Sequence, residues 1–345
     1  MTEYMIPEIS VIMSVYNGDS FLKESIDSML DQTFKNFEFL ITDDCSTDNT
    51  SDILKEYSEK DNRIILTRNS RNAGLTVNLN GMISLAKGKY IARLDADDIS
   101  LPFRLEKQYN YMEKHPETGV IGSDGRIFGK DRKTIFLKRP HTHEEICASF
   151  AFENLLIHSS AFIRRSVLKE NNIRYDNDLR IIQDFDLWTR LCRITKFRIL
   201  DDELVRYRVS GSNISILTEK KENYRENILK IIYGNYFRTN RFELTDDRLE
   251  IHVLMLHAKK ILGIDNLKRI SSHLEYLLSE NDRTGAFDKD YFRYMISKHW
   301  FKTCTRMTKA GLKVFFQYRN SELRKDFSPG ISLMIRLFVK CIIRY

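Results

Sequence analysis

The sequence has few residues of the types that interrupt regular secondary structure, with 5 prolines and 14 glycines among 345 residues. Collagen-like and low-complexity chains contain far more of both. Hydrophobic residues make up 42% of the chain and charged residues 30%, which is enough apolar material for one large or two ordinary cores. This composition excludes a largely disordered protein.

Cysteine is also scarce, and its spacing does not suit disulfides or a zinc site. The 5 cysteines lie far apart and form no C-x-x-C pair. The pattern predicts reduced thiols in a cytoplasmic protein, and excludes a disulfide framework or a zinc site. No apolar run approaches the ~18–20 residues of a membrane-spanning helix. The first residues also lack the basic and apolar regions of a signal peptide.

Two glycine-rich motifs that bind nucleotide phosphates are missing as well. Neither G-x-G-x-x-G nor G-x-x-x-x-G-K-[ST] occurs in the chain, so a dinucleotide fingerprint and a phosphate-cradling loop are both excluded. A nucleotide bound here would have its phosphates held by a metal ion and by side chains.

The first 125 residues do show a regular alternation of short β-branched runs and helical patterns. These runs predict strands at residues 9–15, 37–41, 63–67, 90–94 and 120–123. Alternation at this spacing predicts right-handed βαβ units. We therefore expect an α/β fold with a mainly parallel sheet and helices on both faces.

Unusual polar residues follow four of the predicted strands. They are Tyr16-Asn17, Asp43-Asp44, Arg71-Asn72 and the segment Asp95-Ala96-Asp97-Asp98. The carboxyl ends of parallel strands share one edge of a sheet, and open α/β sheets bind ligands at that edge. The four clusters are therefore expected to form one site.

Three carboxylates lie within four residues in the segment after the fourth strand. Like charges this close repel each other unless a cation offsets them. Oxygen-only ligands favour Mg²⁺ or Mn²⁺, so Asp95, Asp97 and Asp98 are candidate metal ligands. The alternative is an ordinary loop in which Asp98 or Ser100 caps the next helix.

Four further residues each have a structural interpretation. Asp43 and Asp44 are either turn and cap residues or acceptors for a base N–H or a ribose hydroxyl. Asp184 lies in RIIQDFDLWTRL, a predicted amphipathic helix, where by itself it is a solvated first-turn acid. His158, in LLIHSSAFIRR, fits a structural histidine as well as a functional one.

Taken together, several segments resemble glycosyltransferase family 2, the inverting nucleotide-sugar transferases with a GT-A (Rossmann-like) fold. The matching segments are ISVIMSVYNGDSFLKESIDSMLDQTFKNFEFLITDDCSTDNT, RNAGLTVNLNGMISLAKGKYIARLDADD, IHSSAFIRRSVL, QDFDLW and YRVSGSNIS. They keep a consistent order over roughly residues 7–215. The LDADD form with a basic helical tail is most similar to bacterial O-antigen and capsule transferases.

The resemblance implies a role for each residue. The donor nucleotide is expected to contact Ser14, Val15, Tyr16, Asp43, Asp44, Arg71, Asn72, Asp95 and Ala96. Asp95 and Asp97 form the DxD element that binds Mn²⁺ or Mg²⁺ with Asp98 nearby, and Asp184 takes the place of the general base. Two positions depart from the family pattern: Gln183 stands where Glu is usual, and Ser210 where many members have His.

The expected domains are a GT-A catalytic domain at residues 1–215 and a helical region at residues 216–345. The catalytic domain divides into a nucleotide-sugar half at about 1–125 and an acceptor half at about 126–215. Residues 1–120 carry a net charge of −7, whereas the last 55 residues carry +10. Basic and aromatic residues in the last helices predict contact with anionic lipid, with a packed helical subdomain as the alternative. The acidic sheet and the lack of a recognised motif argue against nucleic acid.

The resemblance implies a cytoplasmic enzyme, peripheral on the inner face of the cell membrane. It is expected to transfer glucose or galactose from a UDP-sugar to a hydroxyl of a lipid-linked (undecaprenyl diphosphate) saccharide, in O-antigen or capsule biosynthesis. The alternative is a non-catalytic module that binds nucleotide-sugar or glycan, which Gln183 and Ser210 leave open.

Overall fold

A computed structural model describes residues 6–129, 135–137, 139–210, 222–257 and 263–344. The chain divides into two compact units. The first, here called the sheet unit, contains Met1–His143 and Leu155–Lys220, and the second, the helical unit, contains Glu144–Asn154 and Lys221–Tyr345. The boundary expected at residue 215 lies in segment 211–221, outside the described residues.

In the sheet unit, strands and helices alternate through residue 128 much as the sequence predicts. The elements are β1 Ile9–Val15, α1 Asp19–Leu30, β2 Phe37–Asp43, α2 Thr50–Lys60, β3 Ile64–Arg68, α3 Leu75–Leu85, β4 Tyr90–Arg93, β5 Ile99–Ser100, α4 Arg104–Lys114 and β6 Thr118–Phe128. They are followed by β7 Ile135–Leu137, α5 His143–Phe150, β8 Phe162–Arg164, α6 Arg165–Glu170, α7 Gln183–Leu191 and β9 Lys196–Arg208.

These strands form one sheet in the order β3-β2-β1-β4-β8-β6-β9-β5, and β7 pairs with β6. The α/β prediction is confirmed, and β3, β2, β1 and β4 are all parallel to their neighbours within that group. The parallel arrangement is interrupted at β8, which runs antiparallel to both β4 and β6, and it resumes where β6 pairs in parallel with β9. The sheet as a whole is therefore mixed.

The parallel half follows directly from its sequence. β1 (ISVIMSV) is buried along its length apart from the partly exposed Ser14, as expected of a strand covered on both faces. In contrast, β9 (KFRILDDELVRYR) has no clean alternation. Its pairing with β6 shifts register at Thr118/Val120 and on both sides of Asp124. Such bulges change which face a side chain occupies, so the sequence pattern of β9 is broken.

The helical unit consists mainly of long helices. After α5 come α8 Glu222–Thr239, α9 Asp246–His257, α10 Ile264–Thr284, α11 Lys289–Arg306, α12 Leu312–Asn320 and α13 Gly330–Ile343. Trp300, Phe292 and Leu274 are fully buried in its core. Among the described residues, every helix is too short or too polar to cross a bilayer.

Candidate active site

The parallel strands place three of the predicted polar clusters at neighbouring positions on one sheet edge. Val15 at the end of β1 pairs with Asp43 at the end of β2, and Asp43 pairs with Arg68 at the end of β3. The fourth cluster follows β4, which is the other neighbour of β1. The expectation of a shared carboxyl edge is thus confirmed.

Asp43 closes the turn after β2. The Ser46 N–H donates to its Oδ1 at 2.9 Å, Ser51 Oγ contacts its Oδ2, and Arg68 Nε lies 3.3 Å from Oδ2. The carboxylate is 1% exposed. Its hydrogen bonds are those of the turn interpretation.

Asp44 organises the loop that follows β3. Its carboxylate accepts hydrogen bonds from Asn69 Nδ2 at 2.7 Å, the Ala73 N–H at 2.8 Å and the Gly74 N–H at 2.9 Å. Burial opposes ionisation of this carboxyl, but these donors outweigh it and hold the pKa of Asp44 below its usual range. Asp44 is therefore an ionised anchor of the 69–74 loop.

The same network reaches β1. Asn69 Nδ2 also donates to Asn78 Oδ1 at 2.7 Å, and Asn78 Nδ2 donates to Ser14 Oγ at 3.0 Å. One chain of hydrogen bonds thus links the ends of β1, β2 and β3 to α3. Ser14, a residue of β1, is thereby joined to the loop that follows β3.

The residues expected to border the nucleotide differ in exposure. Val15 is buried, whereas Tyr16 is 51% exposed. Arg71 and Asn72 are exposed on the loop that Asp44 holds. The edge therefore presents an aromatic ring and polar side chains to solvent above a buried network.

The loop after β4 starts with a carboxylate that the protein itself neutralises. Asp95 forms an ion pair with Arg93, whose side chain is only 2% exposed, and Ser159 Oγ donates to Asp95 Oδ2 at 2.8 Å. Ala96 is half-buried. It lies beside the turn after β1, where a Cβ placed on Gly18 would be 3.8 Å from the Ala96 Cβ.

Asp98 is bonded to groups of the protein itself. It is fully buried, the Arg208 N–H donates to its Oδ1 at 2.8 Å, and Ser159 Oγ contacts its Oδ2. Ser159 has one hydroxyl hydrogen, so it can donate to Asp95 or to Asp98 but not to both at once. Burial, together with the charges of Asp95 and Asp97, raises the pKa of Asp98 well above its usual range. The helix-capping alternative is wrong, because α4 starts after Phe103 with no side-chain cap.

Asp97 keeps a partly exposed carboxyl group. Burial and, secondly, the negative charge of Asp95 raise its pKa to about 6. Arg208 Nε donates to the Asp97 carbonyl at 2.8 Å, and its guanidinium lies 4.4 and 4.3 Å from the ring centroids of Phe21 and Phe128. Arg208 on β9 thus fixes the backbone that carries this carboxylate.

Asp184 lies in the first turn of α7 and is partly exposed. Burial raises the pKa of Tyr207, and the charges of Asp95, Asp98, Asp97 and Asp184 all raise it further. Burial also raises the pKa of Tyr175, and the charges of Asp184 and Asp95 add to that effect. The fold therefore brings the predicted base and the predicted DxD element into one electrostatic neighbourhood.

His158 belongs to the same neighbourhood. Its Nε2 is hydrogen-bonded to the Tyr175 hydroxyl at 2.8 Å, and burial lowers the pKa of this histidine well below its usual range. A neutral, bonded ring of this kind agrees with the interpretation of His158 as a structural histidine.

Several residues around these carboxylates were not singled out from the sequence. They are Arg93, Ser159, Tyr175, Tyr207 and Arg208. One signal was present: Arg93 is a charged residue at the end of the otherwise apolar YIAR strand, and it is buried. The others become visible only when distant segments pack together.

Within the part of the chain that the structure describes, no three His, Cys, Asp or Glu side chains form a ready metal site. Asp95 and Asp97 are the partly exposed carboxylates of the loop. Mg²⁺ commonly uses one or two carboxylates together with waters and substrate phosphates. The donor set therefore fits a cation that a diphosphate helps to hold.

Comparison with known proteins gives concordant matches. The family model described as Glycosyl transferase family 2 matches residues 10–171. An uncharacterized glycosyltransferase of Methanocaldococcus jannaschii is 37% identical over 63% of this chain and 76% of its own length. The O-antigen biosynthesis glycosyltransferase WbnJ of Escherichia coli is 32% identical over 62% of this chain and 84% of its own length.

Solved structures support the fold. S. aureus TarS 1–349 in complex with UDP aligns with 96% of this chain and 89% of its own at a TM-score of 0.55 and 16% identity. The mannosyltransferase PcManGT from Pyrobaculum calidifontis, in complex with GDP-Man and Mn²⁺, aligns with 81% of this chain and 76% of its own at 0.51 and 16%. The solved structures agree with a GT-A fold followed by a helical C-terminal region. The family model and the sequence relatives show that the chain belongs to glycosyltransferase family 2.

Proposed function

We propose that this glycosyltransferase moves a hexose, glucose or galactose, from a UDP-sugar to a hydroxyl of a saccharide carried on a lipid diphosphate, in O-antigen or capsule biosynthesis. The observation that carries the proposal is that the acids following β2 and β4 share one edge of the sheet. Asp184 lies close enough to Asp95 and Asp97 for the charges of all three to raise the pKa of Tyr207. The E. coli relative is named for O-antigen biosynthesis, which supports the pathway class.

The electrostatics of the loop after β4 support metal dependence. Burial and the nearby charge of Asp95 raise the pKa of Asp97, so a cation bound beside it would favour the ionised carboxylate. Asp95 and Asp97 would hold Mn²⁺ or Mg²⁺, while Asp98 stays bonded to Arg208 and Ser159. A divalent cation bound there supplies charge neutralisation for the departing diphosphate.

The residues of the chain then have separate tasks. Tyr16, Arg71 and Asn72 are available to the nucleotide because they are exposed at the strand edge. Asp44 keeps the 69–74 loop in place. Asp184 accepts the proton of the attacking hydroxyl, because a neutral alcohol needs a carboxylate in hydrogen-bond reach. A single displacement from the face opposite the leaving group inverts the anomeric centre.

The proposed location is the inner membrane surface, where a lipid-linked acceptor lies. Leu337 and Cys341 are the two buried residues of α13. Large apolar side chains on the rest of the helix are exposed, and segment 330–344 contains three basic and no acidic residues. An apolar stripe with a basic border is typical of a helix lying in a lipid interface.

The test is release of the matching nucleoside diphosphate from a panel of UDP-, GDP- and dTDP-sugars, with and without a lipid-linked acceptor and with Mn²⁺ or EDTA. We expect acceptor-stimulated release from UDP-Glc or UDP-Gal that EDTA abolishes. Release from only a GDP- or dTDP-sugar would overturn the donor assignment. UDP-sugar binding without turnover for any acceptor would favour the non-catalytic module.

A further inference from the structure

Ser159 lies opposite Asp95 because β8 runs antiparallel to β4. The Arg93 N–H donates to the Ala161 carbonyl at 3.0 Å, so the antiparallel register continues beyond the paired residues of β8. Two residues further along, the same register brings the 3₁₀ turn His158–Ser160 to the loop after β4. The antiparallel strand that interrupts the parallel sheet is therefore what supplies a hydroxyl to the first acid of that loop.

The Ser159 hydroxyl connects the backbone and the side chains of the loop. Its Oγ accepts hydrogen bonds from the Asp95 N–H and from Arg93 Nη1, each at 3.2 Å. It donates its hydrogen either to Asp95 Oδ2, at 2.8 Å, or to Asp98 Oδ2. A hydroxyl has two acceptor lone pairs and one hydrogen, so the hydrogen-bonding capacity of Ser159 is fully used.

These bonds restrict the orientation of the Asp95 carboxylate. One oxygen atom of Ser159 contacts both the backbone N–H and the Oδ2 of Asp95, so rotation about the Cα–Cβ bond of Asp95 would break one of the two bonds. Arg93 Nη1 contacts the same Oδ2. Ser159 is 1% exposed, so water does not replace a bond that is lost there.

The second oxygen of the carboxylate, Asp95 Oδ1, is in a different position. Within the described part of the chain, no hydrogen bond or ion pair reaches this oxygen, and the Asp95 side chain is 29% exposed. Carboxylate oxygens are the protein ligands that Mg²⁺ prefers, together with water and substrate phosphates. A carboxylate held through one oxygen and open at the other is oriented before a cation arrives, so less conformational freedom is lost on binding.

We propose that Ser159 is a positioning residue of the donor site, which fixes Asp95 so that its Oδ1 is presented to the divalent cation. This inference rests on the metal-dependent function proposed above. Hydrogen bonds behind a metal ligand orient it, and their loss commonly lowers metal affinity about 10- to 100-fold. Ser159 acts through Asp95 and does not itself bind the cation.

Ser160 provides a matched control in the same turn. It is also fully buried, and its hydroxyl donates to the Ile157 carbonyl at 2.8 Å and accepts from the Ser123 N–H at 3.2 Å. Neither partner belongs to the loop after β4. Replacing either serine with Ala removes one buried hydroxyl, but only Ser159→Ala removes a bond to Asp95.

The test is isothermal titration of Mn²⁺ into the full chain saturated with UDP, for the wild type, Ser159→Ala and Ser160→Ala. We expect Ser159→Ala to weaken Mn²⁺ binding about tenfold or more. Ser160→Ala should stay within about twofold, although both variants should lower the melting temperature of the metal-free protein, because each leaves buried partners unsatisfied. Ser159→Cys keeps a weaker donor at the same position and should bind Mn²⁺ with an intermediate affinity.

Three results would count against the proposal. Wild-type Mn²⁺ affinity in Ser159→Ala, or in Ser159→Cys if the alanine variant does not fold, would overturn the positioning role. An equal loss of affinity in Ser160→Ala would show that Ser159 acts only through the stability of the turn, and would overturn it as well. Failure of the wild type to bind Mn²⁺ with UDP would overturn the proposed metal dependence itself, and the role of Ser159 with it.

Discussion

Burial of Asp97 and the nearby charge of Asp95 make its ionised form unfavourable in the folded state. Its pKa is raised to about 6, so near neutral pH the folded chain carries an ionised group that the unfolded chain would accommodate more easily. The folded state binds the proton more tightly than the unfolded state, so stability falls as pH rises from about 4 through about 6 and stays low above that. A bound cation would remove this cost.

Asp97→Asn should therefore stabilise the metal-free protein at pH 7.5, raising its melting temperature by a few degrees. The gain should shrink at pH 4.5, where wild-type Asp97 is protonated. Mn²⁺ should raise the melting temperature of the wild type but not that of the variant. Scanning calorimetry at the two pH values measures all three effects, and an equal Mn²⁺ response in both proteins would remove Asp97 from the metal site.

Asp184 and Asp186 are two first-turn acids of the same helix with different surroundings. Arg190 donates to Asp186 Oδ2 from Nε at 3.0 Å and from Nη2 at 2.6 Å, whereas the charge of Asp184 acts on Tyr175 and Tyr207. We expect Asp184→Asn to lower the rate of UDP release at least 100-fold, the usual contribution of a general base. Asp186→Asn is the matched control and should stay within about threefold. Near-normal turnover of Asp184→Asn would show that another group accepts the proton.

Among the elements, β1 and the segment before β4 pack without room for a side chain at Gly88. A Cβ there would lie 2.5 Å from the Ser10 backbone nitrogen and 2.7 Å from the Ile9 carbonyl carbon. The Gly88 N–H also donates to Ser10 Oγ at 2.8 Å. The residues next to Gly88 in the sequence do not predict this close packing, because its partner Ser10 lies 78 residues earlier in the chain.

Gly88→Ala should lower the free energy of unfolding by about 2–3 kcal/mol, as overpacking against backbone does. Gly81 lies inside α3 with nothing within 4 Å of a Cβ placed on it, so Gly81→Ala should instead raise it by about 0.5–1 kcal/mol. Urea denaturation of both variants measures the difference. A Gly88→Ala protein as stable as Gly81→Ala would mean that β1 and this segment are not packed so closely.

The exposed face of α13 can be tested without truncating the chain, which would remove the buried Leu337 and Cys341. Ile331, Ile335 and Ile342 share one face and are 81%, 57% and 52% exposed. Replacing all three with Ser should lower the fraction that sediments with anionic phosphatidylglycerol vesicles at least tenfold, because each buried apolar side chain contributes about 1.5–3 kcal/mol.

Ile231→Ser is the control for that experiment, since Ile231 is 60% exposed on α8 of the same unit. It should leave vesicle binding unchanged. Sedimentation of the triple variant equal to that of the wild type would rule out the lipid surface and leave α13 as an ordinary packed helix with solvated charges.

At the scale of the whole molecule, the sheet unit contains several buried carboxylates and the helical unit several buried histidines. In the helical unit, burial lowers the pKa of His252 to about 3 and that of His257 to about 4. Each pKa is depressed relative to the ordinary value of 6.5, so the unfolded state binds protons first as the solution becomes acidic. Their contribution to stability is present above about pH 6.5 and is lost as the pH falls towards 4.

The free energy of unfolding of the helical unit should therefore fall between pH 6.5 and 4.5, by about 1.4 kcal/mol per pH unit for each such histidine. The two tryptophans, Trp188 and Trp300, lie in different units, so a Trp188→Phe protein reports on the helical unit by fluorescence. His115→Gln, at a half-exposed histidine in the sheet unit, should not change the slope. A flat profile over this range would mean that these histidines are protonated in the folded state.

Local sequence patterns were sufficient to predict the strands of the parallel half of the sheet and the edge at which its acidic residues lie. An apolar run such as β1 is recognised from adjacent residues, and the residues after it must lie at the strand end. Asp43, Asp44, Asp95 and Asp97 therefore belong to one edge on sequence grounds alone, and the pairing of β1 with β2 and β4 agrees. The role of Asp184 came only from family resemblance, and it stays a prediction.

Contacts between distant segments decided the rest. Asp98 is bonded to Arg208, 110 residues away, and the 144–154 segment joins a unit whose other residues begin at Lys221. The His252–His273 pair likewise joins α9 to α10 across 21 residues. Such pairings leave no periodic trace in the chain, because each depends on how completed elements pack and not on the residues beside it.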